Sequence, residues 1–406
     1  MTYNAPAVRS HFPSLDTGLA HFDGPGGTQT PRQVGAAIAL TLTRPLSNRG
    51  TRSLPERNAD DAVTGFRAAM GDLLNADPAG IIYGRSATAI TYDFSHHLSH
   101  GWGPGDEIVV TRLDHDSNIR PWVQAAERAG ATVRWVDFDP ATGELTADAV
   151  AAVVTENTQF VAVTGASNLI GTRPPISEIA RVVHGVGALL WVDGVHSTAH
   201  ANVDLEALGA DFFVCSPYKF LGPHCGVLAA SPELLETIHP GKLLPSSDAV
   251  PERFEFGTLP YEMMAGVTAA VDFLAALVPA DLGVAETLTR RELLVRSALG
   301  REEHESQLLA RLESGLADLA SVTVHSRAAD RTPTLLLTFA GASAADASQF
   351  LFERRILAPA GSFYAIEASR HLGLGDDGGL RIGLAPYNTA GDVDRLLVAI
   401  EDFLAS

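Results

Sequence analysis

Two short apolar runs end in residues equipped for chemistry. Leu189-Leu190-Trp191-Val192 runs into Asp193-Gly194-Val195-His196-Ser197, and Phe212-Phe213-Val214 runs into Cys215-Ser216-Pro217-Tyr218-Lys219. Each run reads as a buried strand whose polar end marks where the strand stops. Open parallel sheets hold their ligands in the crevice outside such strand ends. Asp193 and Lys219 are the central pair. An acid beside a lysine makes an ion pair. The same two groups also suit a lysine that carries pyridoxal phosphate as a Schiff base, with the acid keeping the pyridine nitrogen protonated. The two runs alone leave both readings open.

Other stretches offer partners. The strand Gly80-Ile81-Ile82-Tyr83 passes through Gly84-Arg85-Ser86-Ala87-Thr88 into an apolar helix over 89–98. Free N–H groups and the helix dipole make such a turn favourable for a phosphate, although every βα unit has one. A strand over 107–113 ends at Asp114-His115-Asp116-Ser117-Asn118. His115 there suits stacking on a planar ligand, or simply a bond to its own loop. Phe160-Val161-Ala162-Val163 leads to Gly165-Ala166-Ser167-Asn168. His21-Phe22-Asp23-Gly24-Pro25-Gly26-Gly27-Thr28 is a short strand entering a Gly/Pro turn, where backbone can approach a ligand closely. His96 and His100 share a helix face with Asp93 one turn earlier. Their spacing matches no metal motif, and a polar helix end is the simpler reading, so no metal is expected.

The elements that must position these residues alternate. Strands and helices take turns across 80–230, which predicts βαβ units and a mostly parallel sheet with helices on both faces. Helices are expected over 31–40, 60–74, 121–129, 147–154, 176–186, 265–277 and 302–319. Beyond about 290 the pattern changes to a small α+β unit. It has strands at 322–324, 334–337 and 380–384, and helices at 344–353 and 392–403. The expected organisation is an arm over 1–20, a large domain over 21–289 and a small domain over 290–406.

Bulk properties narrow the function. The 406 residues are 46% hydrophobic and 19% charged, with a net charge of −19. That balance argues against nucleic acid and against an anionic membrane surface as partners. The two cysteines, Cys215 and Cys225, rule out a disulfide framework and fit a reducing compartment. Residues 1–10 lack the features of a secretory signal, and no apolar run approaches a membrane span. A cytoplasmic location is the expectation.

Taken in order, these motifs resemble the cysteine desulfurase-like branch of the class V aminotransferases along nearly the whole chain. The resemblance implies a pyridoxal-phosphate enzyme of fold type I acting on a small-molecule amino acid. It implies that Lys219 carries the cofactor, that Asp193 meets the pyridine nitrogen, and that His196 lies near the phenolic oxygen or the lysine. His115 would stack on the ring and pass protons. Asn168 would lie near the phenolic oxygen and the substrate. Ser86, Ala87, Ser216 and Tyr218 would cradle the phosphate, although Tyr218 replaces a histidine common in the family. Gly257-Thr258 resembles the segment that reaches the partner subunit's phosphate, which implies a homodimer with shared sites. Arg381, in Leu380-Arg381-Ile382-Gly383, resembles the arginine that clamps the substrate carboxylate. Gly27, in the 24–28 turn, is expected near the substrate.

One departure bears on the reaction. Cysteine desulfurases use a loop cysteine to take the substrate's sulfur. The matching loop here is Ala360-Gly361-Ser362-Phe363-Tyr364-Ala365-Ile366. It has no cysteine, and Tyr364 stands where the thiol would be. The chain therefore resembles a subfamily lacking that cysteine. The expected reaction is cleavage of a C–S or C–Se bond by β-elimination, with Tyr364 contacting substrate. Transamination, epimerisation or oxidative deamination at the same Cα, or a non-catalytic cofactor-binding homologue, are the alternatives.

Overall fold

The apolar runs pair into one seven-stranded sheet in a computed structural model that describes residues 3–278 and 287–406. Met1 and Thr2 of the expected arm, and 279–286 of the expected large domain, lie outside the described residues. Strands are numbered along the chain: β1 Ala20–His21, β2 Ile81–Gly84, β3 Glu107–Thr111, β4 Thr132–Val136, β5 Thr158–Thr164, β6 Leu189–Asp193, β7 Phe212–Cys215 and β8 Gly226–Ala230. The C-terminal part adds β9 Val322–Val324, β10 Thr334–Phe339, β11 Ile356–Leu357, β12 Ala360–Gly361 and β13 Gly379–Gly383.

The order of the large sheet is β2-β8-β7-β6-β5-β3-β4. Strands β3 to β7 pair in parallel. β8 runs antiparallel to both β7 and β2. The sheet is thus mostly parallel, in an α/β fold. The antiparallel step has a practical effect. β7 reaches β8 through a short segment with no crossover helix, and Lys219 sits on that segment. Side chains alternate between two buried faces. Trp122, Trp191, Phe160, Phe212 and Phe94 fill one face. Val109, Val161, Val163, Leu190, Val192 and Phe213 fill the other.

The order of the second sheet is β12-β13-β10-β9, antiparallel throughout. Leu335, Leu337, Leu380 and Ile382 pack into its own core, together with Ala20 and Phe22 from the start of the chain. The period of two then turns Arg381 to the opposite side. β1 pairs in parallel with β11. The Gly383 N–H donates to the Phe22 carbonyl at 2.7 Å, so the N-terminal strand runs beside β13 and delivers Asp23 next to it.

Two element boundaries differ from expectation for capping reasons. The helix expected from residue 60 spans Leu54–Leu74, because Ser53 and Glu56 form a capping box. The helix expected over 302–319 spans Arg290–Ala317, starting from a Thr289–Glu292 capping box. Its first turns bury Leu294 and Ala298, four residues apart on one face, ahead of the expected start. That helix buries Leu294 in the large core and Leu308, Leu312 and Leu316 in the small one. The helix Ile366–His371 and the two-residue strands β11 and β12 are too short to leave a periodic signal. Among the described residues, no helix is long and apolar enough to cross a membrane.

Candidate active site

The C-terminal ends of β3, β5, β6 and β7 meet the N-terminus of the helix Ala87–Leu98 around two adjoining cavities. The inner one is about 80 Å³ and is lined by Ser86, Ala87, His115, Asn168, Asp193, His196, Ser216, Tyr218 and Lys219. The outer one is about 630 Å³ and adds Asp23, Gly26, Arg120, Phe363, Tyr364 and Arg381. Residues read from the sequence as far apart as 86 and 381 therefore face one space. Two do not. A Cβ on Gly27 would lie 3.3 Å from the Tyr218 ring, and its neighbour Gly26 lines the outer cavity instead. Thr258 is exposed and lines neither cavity.

Asp193 closes β6. Its Oδ1 accepts the Val195 N–H at 2.9 Å, the tight turn that a strand-terminal Asp favours. Burial pushes its carboxyl up to about 6, while the Val195 N–H and Lys219 pull the other way. Lys219 follows β7 on a single 3₁₀ turn, Pro217–Lys219. Burial, then the charge of Arg381, lowers its ammonium to about 8; Asp193 and Asp23 oppose that shift. Its Nζ donates to the Pro25 carbonyl. A lysine with a lowered pKa in a cavity is a nucleophile and a base near neutrality.

His115 leaves β3. The Ser117 N–H donates to its Nδ1 at 3.1 Å. Burial, then Lys219 and Arg381, lowers the ring to about 3. His115 is therefore neutral at physiological pH, with its proton on Nε2. Its ring lies 5.4 Å from that of Tyr364, tilted by 31°. Behind it, Asp114 is wholly buried, and its Oδ1 accepts from the Asn118 amide at 2.7 Å. Burial pushes the Asp114 carboxyl up to about 8.

At the turn after β2, the Ser86 hydroxyl caps the helix by accepting the Ala89 N–H at 3.1 Å. The preceding N–H groups have no helical acceptor. The turn is pressed tightly onto β8. A Cβ on Gly226 would lie 2.4 Å from the Ser86 carbonyl carbon and 2.6 Å from the Ala87 nitrogen, so only glycine fits there.

The far end is built from three segments of chain. Arg381 is 2% exposed. Its Nη1 donates to the Asn168 carbonyl at 3.1 Å and its Nη2 to Asp23 at 2.7 Å. Its guanidinium carbon lies 3.6 Å from the centre of the Phe363 ring. The Asn168 amide donates to the Phe363 carbonyl at 2.9 Å. Phe363 and Tyr364 both have positive φ, 52° and 60°. Two successive non-glycine residues in that region are strained, and such strain gathers at ligand sites. Tyr364 is 77% exposed at the mouth.

Three buried atoms of the site have no hydrogen-bond partner: Asn168 Oδ1, His196 Nδ1 and Arg381 Nε. Unpaired buried polar atoms are costly unless a ligand meets them. With the Ser86 turn, an acid and a lysine, this donor and acceptor set fits pyridoxal phosphate.

Asp23, Phe363, Arg120, Thr332 and Thr334 were not singled out as site residues from sequence. Asp23 lay within the 21–28 stretch and carried the one usable signal, an acid entering a glycine turn. Phe363 belongs to the 360–366 loop, and Arg120, Thr332 and Thr334 reach Glu367 and His196 across long stretches of chain, which no local pattern encodes. Both cysteines are buried. Among the described residues, no group of three His, Cys, Asp or Glu residues could hold a metal ion.

The chain resembles known proteins along its length. The family model described as aminotransferase class-V matches residues 20–396. An aminotransferase-like protein, FGM3, from Gibberella zeae is 30% identical, with 98% of each chain covered. A probable cysteine desulfurase from Halalkalibacterium halodurans is 32% identical over 79% of each. The crystal structure of the Escherichia coli cysteine desulfurase CsdA superposes with a TM-score of 0.87 at 25% identity, covering 100% of this chain and 99% of that one.

Proposed function

The chain belongs to the class V aminotransferase family, and from that premise we propose that it is a pyridoxal-phosphate enzyme cleaving the C–S or C–Se bond of an amino acid by β-elimination. One observation carries the reading. Lys219, buried and with its ammonium lowered to about 8, lies at the junction of the two cavities, between Asp193 and the Arg381–Asp23 pair.

Lys219 would hold the cofactor covalently through Nζ. Asp193 would meet its ring nitrogen, His115 its ring face, and Ser86, Ala87, Ser216 and Tyr218 its phosphate. When bound, the cofactor supplies an electron sink that acidifies the substrate's Cα–H. The side chains do the rest. Arg381 binds the substrate carboxylate, and its Nε–H is still free to donate. Lys219 removes the Cα proton once its amine is free. Departure of sulfur from Cβ then yields pyruvate and ammonia after hydrolysis. Tyr364 offers the leaving group an aromatic wall, not a thiol. Burial pushes both cysteine thiols up, Cys225 to about 12, so neither is a thiolate able to accept sulfur.

We also read the enzyme as a cytoplasmic homodimer with shared sites. The exposed Leu40, Leu42, Leu243, Leu244 and Phe256, near Thr258 in sequence or on neighbouring segments, support that reading. The test is a panel of L-cysteine, cystine, selenocysteine and S-conjugates, offered with pyridoxal phosphate and assayed for pyruvate, alanine and sulfide. Pyruvate appearing with equimolar sulfide or thiol is expected. Alanine as the product, or a 2-oxo acid that retains its sulfur, would overturn elimination.

A further inference from the structure

His196 is wholly enclosed, and its two ring nitrogens have unlike surroundings. Nε2 lies 2.9 Å from the Thr332 hydroxyl and 3.0 Å from the Thr334 hydroxyl. Nδ1 has no partner, on a ring that lines the inner cavity. Thr334 begins β10, in the other sheet, and Thr332 lies two residues before it. They are pinned there by the loop that follows Asn168: the Thr332 N–H donates to the Gly171 carbonyl at 2.9 Å. Gly171 has φ +80°, and a Cβ on it would lie 3.0 Å from the Thr332 hydroxyl oxygen. A glycine is therefore what lets the threonine pair come this close.

The protons can be assigned by counting. Thr332 can donate to the Gly171 carbonyl at 3.3 Å. The two hydroxyl oxygens are 3.2 Å apart, close enough for either hydroxyl to donate to the other, and with Thr332 turned to Gly171 the Thr334 proton can go to Thr332. Both hydroxyl protons then have acceptors, and both oxygens turn lone pairs toward Nε2. A bare Nε2 would offer one lone pair to two hydroxyls and could not accept fully from both. An N–H at Nε2, shared between the two oxygens, removes that conflict. The ring is also neutral. Burial holds it well below the ordinary histidine range, as do the charges of His200, Lys219, Arg381 and Arg173 that face it. Asp193 shares the inner cavity, and His200 is itself bonded to the buried Glu305 at 2.9 Å.

We propose that Thr332 and Thr334 are positioning residues that fix His196 as its Nε2–H tautomer, so that Nδ1 presents a bare lone pair to the inner cavity. A ligand group seated against it is then a hydrogen-bond donor, a hydroxyl or an ammonium, not an anion. The tautomer itself is a property of the cofactor-free protein. Its use rests on the function proposed above: with the cofactor held there, the bare Nδ1 would accept from a proton-bearing group of the inner cavity, which Lys219 also lines.

The experiment is nitrogen NMR of the full chain labelled with ¹⁵N-histidine, with His196 assigned from the signal missing in His196→Gln. In the cofactor-free wild type the neutral Nε2–H pattern is expected. Thr332→Val with Thr334→Val keeps side-chain shape and removes both hydroxyls, and the signal should move toward a mixture of tautomers. Thr334→Ser restores a hydroxyl and should keep the wild-type pattern. An Nδ1–H pattern in the wild type, or a pattern the valines do not move, overturns the proposal. Pyridoxal phosphate is then added to the labelled wild type. A shift confined to Nδ1 is expected. If the cofactor does not bind at all, the function proposed above fails while the tautomer result stands.

Discussion

Asp23 and Arg381, 358 positions apart in the chain, meet at 2.7 Å. The acid occupies part of the guanidinium that we propose binds a substrate carboxylate. Removing it should sharpen that contact. Asp23→Asn is expected to lower KM for carboxylate substrates roughly two- to fivefold, the size of a partly screened charge interaction. Arg381→Lys keeps the charge and loses the fork. It should raise KM roughly tenfold or more, with kcat changed less, as expected for a lost charged hydrogen bond of about 1.5–3 kcal/mol. Steady-state kinetics on both variants checks the pair. An unchanged KM in Arg381→Lys would remove the clamp.

Lys219 sets a pH dependence whose sign can be worked out. Only the neutral amine attacks, and the group is lowered to about 8. The rate at which the cofactor-free protein takes up pyridoxal phosphate should climb with pH and level off above about 8. Folding follows the same group. Between about 8 and the ordinary lysine value of 10.5, the unfolded chain keeps a proton that the native chain has released. This group's contribution to stability therefore rises with pH in that window. Lys219→Ala should abolish exchange of the substrate's Cα–H into deuterated solvent.

The neighbouring acid runs the other way. Asp193 is raised to about 6, so acid converts it to a neutral carboxyl that cannot hold a protonated pyridine. Cofactor retention, followed by absorbance after gel filtration, should weaken below about pH 6. Asp193→Ala should lose about 10²–10⁴-fold in kcat, the range for loss of a positioned acid–base group.

The thiols should be silent. Cys215 and Cys225 are both buried and held as thiols. A disulfide-exchange reagent should titrate neither in the native protein and both in denaturant. Cys225→Ala should keep its turnover, and no persulfide should appear by mass spectrometry after incubation with cysteine.

Tyr364 packs its ring beside His115 while most of it remains in solvent. Tyr364→Ala should cost roughly two- to tenfold in kcat/KM, matching the 0.5–1.5 kcal/mol of an aromatic pair. Tyr364→Phe should retain activity if the ring, not the hydroxyl, is what matters.

Strand-end residues were legible in the sequence because an apolar run followed by an acid, a lysine or a histidine is a local pattern. Asp193, Lys219, His115 and Asn168 all came from such ends and all line one space. Arg381 was legible only through the family's motif order, since an arginine within an apolar strand has no periodicity of its own. The Thr332–Thr334 pair was not legible, and the 360–366 loop was legible without the contact of its Phe363 ring with Arg381. The pair's meaning lies in its reach to His196, and such contacts leave no local trace. The long helix begins at Arg290 behind its capping box, and its first turns pack Leu294 into the large core before the stretch expected from residue 302.

The pairing of β1 with β11 has a consequence for biosynthesis. The walls of the inner cavity all lie between residues 86 and 219, so a ribosome has made them before the last third of the chain. The outer cavity needs Asp23 and Pro25 from the beginning and Pro359 to Arg381 from near the end. The first strand must wait, unpaired along that edge, until its partner emerges. The side of the site proposed to meet the substrate is therefore complete only once both ends of the chain have met.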